Sequence, residues 1–89
     1  MELLLEVEDT FEIAGRGLAL APDLRLEARS NDSSYEVVVE LPDGSSISSE
    51  ARLAVEHFRP SGYKLVVYLP NLRKEQVPIG SKVFWQSRQ

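Results

Sequence analysis

The chain has 89 residues, no cysteine and one histidine, His57. A domain of this size buries only about 60 to 65% of its unfolded surface, and the composition excludes a disulfide framework, a thiolate metal site and a zinc site built from histidines. The net charge is −4 and unevenly distributed, since residues 1–50 carry twelve acids and three bases, whereas residues 51–89 carry two acids and seven bases. We therefore expect one small domain spanning residues 1–89.

The N-terminal segment contains the apolar run Leu3-Leu4-Leu5 between glutamates. This run is too short, and its flanks are too acidic, for a secretory signal or a membrane span. We expect a soluble, cytoplasmic protein with no membrane partner.

Apolar and polar residues alternate with period two along most of the chain, which predicts strands rather than helices. The first strand is predicted over Leu3–Val7. A second alternation begins at Phe11 and Ile13 and reaches the sequence Gly15-Arg16-Gly17. Glycines within a strand pattern predict a bulge or the close approach of another backbone segment.

The middle of the chain alternates between turn and strand patterns. Pro22-Asp23 predicts a turn, and residues 24–29 predict a strand with one solvated face. A loop is predicted over Ser30–Ser34, whose side chains compete for backbone hydrogen bonds. Tyr35–Leu41 is the strongest strand pattern and ends at the turn Pro42-Asp43-Gly44.

The second half continues the same alternation. Residues 45–49 suit a weak strand or a loop, and Ala51–Arg59 predicts a strand, although residues 49–53 could instead form one helical turn. A turn at residues 60–62 precedes the strand Tyr63–Leu69. A short helical turn is predicted over Leu72–Val77, followed by a last strand over Lys82–Trp85.

Six or seven short strands separated by turns predict an all-β fold, either a sandwich or a small closed or nearly closed antiparallel β-barrel of six to seven strands. Closure into a barrel would remove exposed strand edges. Phe84 and Trp85 are expected to complete the barrel with one side chain facing outward. An outward Trp85 near Tyr63 or Tyr68 would offer a contact point to a partner.

Candidate catalytic groups do not form a recognisable set. Glu8 and Asp9 are adjacent and point to opposite sides of a strand, which does not suit an acid/base pair. His57 lacks the Gly-x-Ser-x-Gly turn of a serine hydrolase. Gly15-Arg16-Gly17 lacks the lysine and the helix of a phosphate-binding loop. We therefore expect no enzymatic activity, no cofactor and no GTP binding by this chain alone.

Several cations in the second half could form a basic patch on an acidic body, or they could simply be solvated surface charges. The overall acidity argues against strong attraction of phosphates. The residues of this predicted patch are Arg59, Lys64, Arg73, Lys74 and Lys82.

Three stretches, in order, resemble the second domain of the translational GTPases typified by elongation factor Tu. Val7–Gly17 is similar to that family's Glu-Asp followed by Phe-x-Ile-x-Gly-Arg-Gly. Val55–Arg59 is similar to its Val-Glu-x-Phe-Arg strand, and Leu69–Gly80 to a strand end, a turn and a closing glycine. The chain departs from the family in residues 18–22. A second departure is Lys64, which lies near the position of the family's pocket asparagine.

The resemblance implies a translation-factor β-barrel without its GTPase domain. In the family this barrel holds the 3′-terminal adenosine and ester of aminoacyl-tRNA, in a cleft shared with the GTPase domain. Strand alternation nevertheless places Glu56 and Arg59, three residues apart, on opposite faces unless a bulge intervenes. The residues that the resemblance places at the pocket are Glu8, Ile13, Gly15, Glu56 and Arg59.

Two functions follow as hypotheses. The first is a non-enzymatic binding module that docks a protein partner. The alternative is an RNA-binding protein that recognises a tRNA 3′ end, with a carboxylate accepting from a ribose hydroxyl and an arginine donating to an ester carbonyl. An enzyme of another type is a third alternative and would require a polar pocket with convergent titratable groups.

Overall fold

A computed structural model describes residues 2–24, 33–59 and 62–85. The predicted strand over residues 24–29, the loop over residues 30–34 and the turn at residues 60–62 lie largely outside the described residues. The elements in chain order are seven strands and one 3₁₀ turn: β1 Glu2–Glu6, β2 Asp9–Ile13, β3 Gly17–Leu24, β4 Ser33–Glu40, β5 Ser46–Phe58, β6 Gly62–Leu69, the 3₁₀ turn Lys74–Gln76 and β7 Lys82–Trp85.

All seven strands belong to one antiparallel sheet with the order β1-β7-β4-β5-β6-β3-β2. The all-β prediction with six or seven antiparallel strands is confirmed. The edge strands β1 and β2 do not pair with each other, so hydrogen bonds do not close the described sheet into a barrel. The two residues between them connect to other parts of the sheet: Val7 N donates to Ser81 O at 2.8 Å, and Glu8 N donates to Ala21 O of β3 at 2.7 Å.

One face of the sheet carries the main core. Side chains alternate between the two faces of a strand, so Leu65, Val67 and Leu69 are fully buried on this core face, whereas Val66 and Tyr68 lie on the opposite face. Pairing of β5 with β6 sets Leu53 against Val67. Other buried members of the core are Leu5, Val7, Leu18, Leu20, Val37, Val39, Ala51, Leu72, Val77, Val83 and Trp85.

The Gly-Arg-Gly sequence forms the turn of the β2–β3 hairpin, so the prediction of a bulge is wrong at this place. Arg16 N donates to Ile13 O at 3.0 Å, and Gly15 and Gly17 have φ values of 81° and 98°, which glycine adopts without a steric penalty. The alternative prediction of a close approach is confirmed, because a Cβ on Gly17 would overlap the backbone of Pro70 and lie 2.9 Å from Leu69 O.

Strand pairing corrects one other local prediction and decides between two alternatives at a second place. Pro22-Asp23 is not a turn, because β3 continues to Leu24. The proline lies between Leu20 and Leu24, where the register of β3 against β6 is irregular. Such an irregularity tolerates a residue that cannot donate to the ladder. Residues 49–53 are strand and not helix, because they pair with β4.

The turn predictions at residues 42–44 and 72–77 are confirmed. Gly44 has a φ of 95°, and Gly44 N donates to Leu41 O at 2.9 Å. Ser45 donates its hydroxyl to Asp43 Oδ1 at 2.6 Å and its amide to the same oxygen at 2.9 Å. These two bonds, the hydroxyl first, lower the pKa of the Asp43 carboxyl.

Trp85 faces the core and not the solvent. It is buried and meets the ring of Tyr35 edge-on, with ring centroids 4.7 Å apart. An outward Trp85 beside Tyr63 or Tyr68, the conditional contact point, is therefore excluded. Its register explains the orientation, since Trp85 lies opposite the fully buried Val37. Within the described ranges, none of the helical structure has the length and apolar character needed to cross a membrane.

Candidate functional site

The face opposite the core carries a depression where β2, β3, β6 and β5 lie side by side. Ala19, Val66 and Tyr68 are buried there and pack together with the half-buried Ala54. In the ladder, Ala19 lies opposite Tyr68 and Ala54 opposite Val66. Because two of these four side chains are single methyl groups, the floor is low and apolar.

Two cavities of about 540 Å³ each follow one another along β5 over this floor. The first is bordered by Gly15, Gly17, Arg52, Ala54 and Pro70, among others. Glu56 and Tyr68 line both cavities, so the two are adjacent. We refer to the two cavities together as the groove.

The second cavity is the more apolar part of the groove. Phe11 and Ile13 of β2 form one side of it, and they are 50% and 40% exposed. Arg59 and Lys64 lie at its other side, near the end of the β5–β6 hairpin. An exposed aromatic and an exposed branched side chain beside a concave surface are typical of a binding site.

Arg16, Glu56 and Tyr68 form a hydrogen-bonded cluster at the boundary between the cavities, which we call the Arg16 cluster. Arg16 Nη1 donates to Glu56 Oε2 and lies 3.3 Å from Tyr68 Oη. Tyr68 Oη donates to the same Glu56 oxygen at 2.8 Å. The Arg16 guanidinium carbon also lies 5.7 Å from the centre of the Tyr68 ring, within the range of a cation–π contact.

Within the Arg16 cluster, Tyr68 and Arg16 both keep their protons at neutral pH. Burial, followed by the hydrogen bond to Glu56, raises the pKa of the Tyr68 phenol. The hydrogen bond with Tyr68 and the charge of Glu56 raise the pKa of Arg16. At neutral pH the phenol is therefore a neutral donor and the guanidinium a cation, and both are directed at the Glu56 carboxylate.

Four of the five residues predicted for the pocket border the groove. Ile13 and Arg59 line the second cavity, Gly15 lines the first, and Glu56 lines both. Glu8 borders neither cavity. It is exposed at the junction of β1 and β2, and its amide bonds to Ala21, which does border the second cavity.

Glu56 and Arg59 border the same cavity, so the prediction that they lie on opposite faces is wrong. The physical reason is that β5 ends at Phe58. Arg59 follows in the turn, where side chains no longer alternate between the faces of the sheet.

The five cations predicted as a basic patch do not share one surface. Arg59 and Lys64 border the second cavity, where Lys64 Nζ lies 3.9 Å from Asp23 Oδ1. Lys82 lies in β7, opposite Glu6 and Glu40 of the neighbouring strands.

The other two predicted patch cations, Arg73 and Lys74, contact residues of β2. Lys74 N donates to Glu12 Oε2 at 2.9 Å, and Arg73 Nε lies 3.4 Å from the same oxygen. The amide of Lys74 is the main cause that lowers the pKa of Glu12, with the charge of Arg73 adding to it.

Sequence reasoning did not place Arg16, Arg52, Phe11 or Tyr68 at the site. A local indication existed for Tyr68 alone, which is the one hydroxyl-bearing residue in the apolar run Leu65–Leu69. The pairing of Arg16 with a carboxylate forty residues away depends on the sheet order, which local patterns do not encode.

Within residues 2–24, 33–59 and 62–85, no group of three or more histidine, aspartate or glutamate side chains is placed to hold a metal ion. Searches against protein-family models, curated proteins and solved structures give no match to this chain.

Proposed function

We propose that this chain is a non-enzymatic binding module that holds a protein partner in the groove. The observation that carries the proposal is the pair of adjoining cavities with an apolar floor and two exposed apolar side chains, Phe11 and Ile13, at one side. Surfaces of this kind gain free energy when a partner covers them.

The titratable groups around the groove support binding rather than catalysis. Glu56 is held by Arg16 and Tyr68, and Asp23 lies near Lys64. His57, next in the chain, stacks on Tyr63 with ring centroids 4.7 Å apart. A general base needs its acceptor atom within reach of a substrate proton, and the Glu56 carboxylate, which lines both cavities, is already engaged by Arg16 and Tyr68.

We also propose that the sheet curls into a nearly closed barrel of the translation-factor second-domain type, in a cytoplasmic protein. The seven antiparallel strands support it, as do the bonds from Val7 and Glu8 to Ser81 and Ala21.

A variant that fills the groove tests whether a protein partner binds there. Ala54→Arg raises a long side chain from the floor, and Ser48→Arg adds the same side chain to the same face of β5 outside the groove. We expect the wild-type chain and Ser48→Arg to retain one protein from native extract, and Ala54→Arg to lose it. Equal retention by all three chains would place the interaction elsewhere, and no retained protein by any of them would count against the proposal.

A specific observation favours RNA 3′-end binding as a second candidate. Ile13, Glu56 and Arg59 converge on the second cavity, as the resemblance to elongation factor Tu implies. Arg16 and Tyr68 already engage Glu56, however, and the net charge of −4 opposes a polyanion. Titration with charged and uncharged tRNA at several salt concentrations tests this candidate, because specific binding must distinguish the two and weaken as salt rises.

A further inference from the structure

We infer that the groove takes an extended acidic peptide segment, with apolar side chains over the floor and a carboxylate near each of Arg52 and Arg59. This inference rests on the proposed function and names the chemistry of the partner. It follows from the charge balance, the length and the apolar centre of the groove.

The charge balance of the groove is opposite to that of the whole chain. Among the residues that the structure describes, the charged side chains that line the two cavities are four cations, Arg16, Arg52, Arg59 and Lys64, and two anions, Asp23 and Glu56. The groove thus has two positive charges in excess on a chain with a net charge of −4. An acidic ligand is attracted to this face and repelled by the rest of the surface.

The excess charge lies at the two ends of the groove. Glu56 is paired with Arg16, and Asp23 lies near Lys64. Arg52 and Arg59 form no ion pair with other residues in the described ranges. Beyond Arg52, the exposed Glu36 of β4 and Glu50 of β5 lie opposite each other. The positively charged part of the groove therefore ends at Arg52 in that direction.

The distance between these ends fits a short extended peptide. Arg52 and Arg59 are seven positions apart along β5 and its following turn, which corresponds to about 20 to 24 Å at the rise of a strand. A peptide of about seven residues in extended conformation spans this distance. Its alternate side chains then point to the floor.

The centre of the groove selects apolar side chains. Ala19, Ala54 and Val66 leave room above the floor, and Phe11 and Ile13 form an apolar side wall. A nucleic acid strand carries a charge at every nucleotide, whereas Arg52 and Arg59, which form no ion pair within the described ranges, are separated by this apolar floor. The arrangement therefore favours a peptide with acids at its ends over RNA.

The peptide is held by its side chains and not by addition to the edge of the sheet. The outward carbonyl of Thr10 on β2 already accepts Lys74 Nζ at 2.8 Å. The amide of Thr10 donates to Asp9 Oδ1, also at 2.8 Å. These contacts occupy both outward backbone groups of Thr10, at which an added strand would pair.

The test is a titration of the full chain with a synthetic seven-residue peptide that has glutamate at each end, two leucines at alternate central positions and capped termini. A matched peptide with lysine at each end and a seven-nucleotide RNA are the comparison ligands. We expect the acidic peptide to bind at least about tenfold more tightly than the lysine peptide, a difference of 1.4 kcal/mol.

Charge reversal makes the test specific to the two ends. We expect Arg52→Glu and Arg59→Glu each to weaken binding of the acidic peptide, and the double variant to prefer the lysine peptide. Lys82→Glu makes the same charge change on β7 and should leave the affinity unchanged.

Equal affinity for the two peptides, no binding of either, or tighter binding of the RNA than of the acidic peptide would overturn the inference. These failures are distinct from failure of the proposed function. If a protein retained from extract is lost with Ala54→Arg while the peptides show no charge preference, the groove is a docking surface for a partner of another chemistry. If Ala54→Arg changes neither retention nor peptide binding, the proposed function fails as well.

Discussion

Arg16 reaches from the β2–β3 turn to the carboxylate of Glu56 on β5, forty residues further along the chain. The contact crosses β3 and β6, which lie between β2 and β5 in the sheet. It therefore joins the hairpin turn to the middle of the groove, with the Tyr68 hydroxyl as a third member.

Tyr68 contributes more to stability than Arg16 does in this cluster. Tyr68→Phe removes a hydrogen bond from a buried donor and should lower the free energy of unfolding by about 0.5 to 1.5 kcal/mol. Arg16→Gln removes an ion pair whose arginine is 52% exposed, and such pairs contribute at most about 1 kcal/mol. Urea unfolding measures both, and a double-mutant cycle of Tyr68→Phe with Glu56→Gln should show coupling. A larger loss for Arg16→Gln than for Tyr68→Phe would contradict this order.

The two glycines of the β2–β3 turn differ in what surrounds them. Gly15→Ala introduces a left-handed alanine into open space, at a cost of about 1 to 2 kcal/mol. Gly17→Ala adds the overlap with Pro70 to the same backbone cost and should destabilise by about 2 to 5 kcal/mol. Thermal unfolding of the two variants compares them directly. Equal losses would show that Pro70 does not approach Gly17 as described.

Glu12 makes stability depend on acid pH. Its pKa is lower in the folded chain than its ordinary value of 4.5, so the ionised carboxylate favours the folded state. This contribution is present above pH 4.5 and is lost as pH falls through the folded pKa. The melting temperature of the wild type should exceed that of Glu12→Gln at pH 7, and the difference should shrink as pH falls through the folded pKa of Glu12. Glu75→Gln, in the 3₁₀ turn, controls for the change in net charge, and a difference that persists at low pH would argue against the role of the Glu12 charge.

Lys74 protects the edge of β2. Lys74→Ala frees the Thr10 carbonyl, and an unpaired strand edge is a template for pairing with another chain. We expect Lys74→Ala to aggregate faster than the wild type in a light-scattering assay at raised temperature. Lys82→Ala removes the same charge from β7 and serves as the control. Equal aggregation of the two variants would assign the effect to charge alone.

The strands and most turns could be predicted because their causes are local. Alternation over Tyr35–Leu41 places Val37 and Val39 in the core, and Pro42-Asp43-Gly44 fixes the turn that follows. Pro22 misled the prediction because a proline also fits within a strand where pairing is irregular. Trp85 faces the core because it pairs with Val37. The alternation of residues along the sequence does not reveal which residues pair.

The site could be predicted only in part for the same physical reason. The resemblance predicts four residues that border the groove, namely Ile13, Gly15, Glu56 and Arg59. Alternation does not predict that Glu56 and Arg59 share a cavity, because β5 ends at Phe58. The Arg16 cluster joins residues from three elements, so it depends on the sheet order. The position of Arg52 also depends on strand pairing, because Arg52 of β5 lies opposite Tyr68 of β6.

We propose that the groove is the binding surface of this chain. The most direct measurement is amide chemical-shift mapping on the ¹⁵N-labelled protein, titrated with the protein that the wild-type chain retains from extract. We predict the largest shifts at Ile13, Ala19 and Ala54, with saturation at a single stoichiometry. Shifts confined to Leu3, Val38 and Phe84, which lie opposite one another on β1, β4 and β7 away from the groove, would contradict the claim.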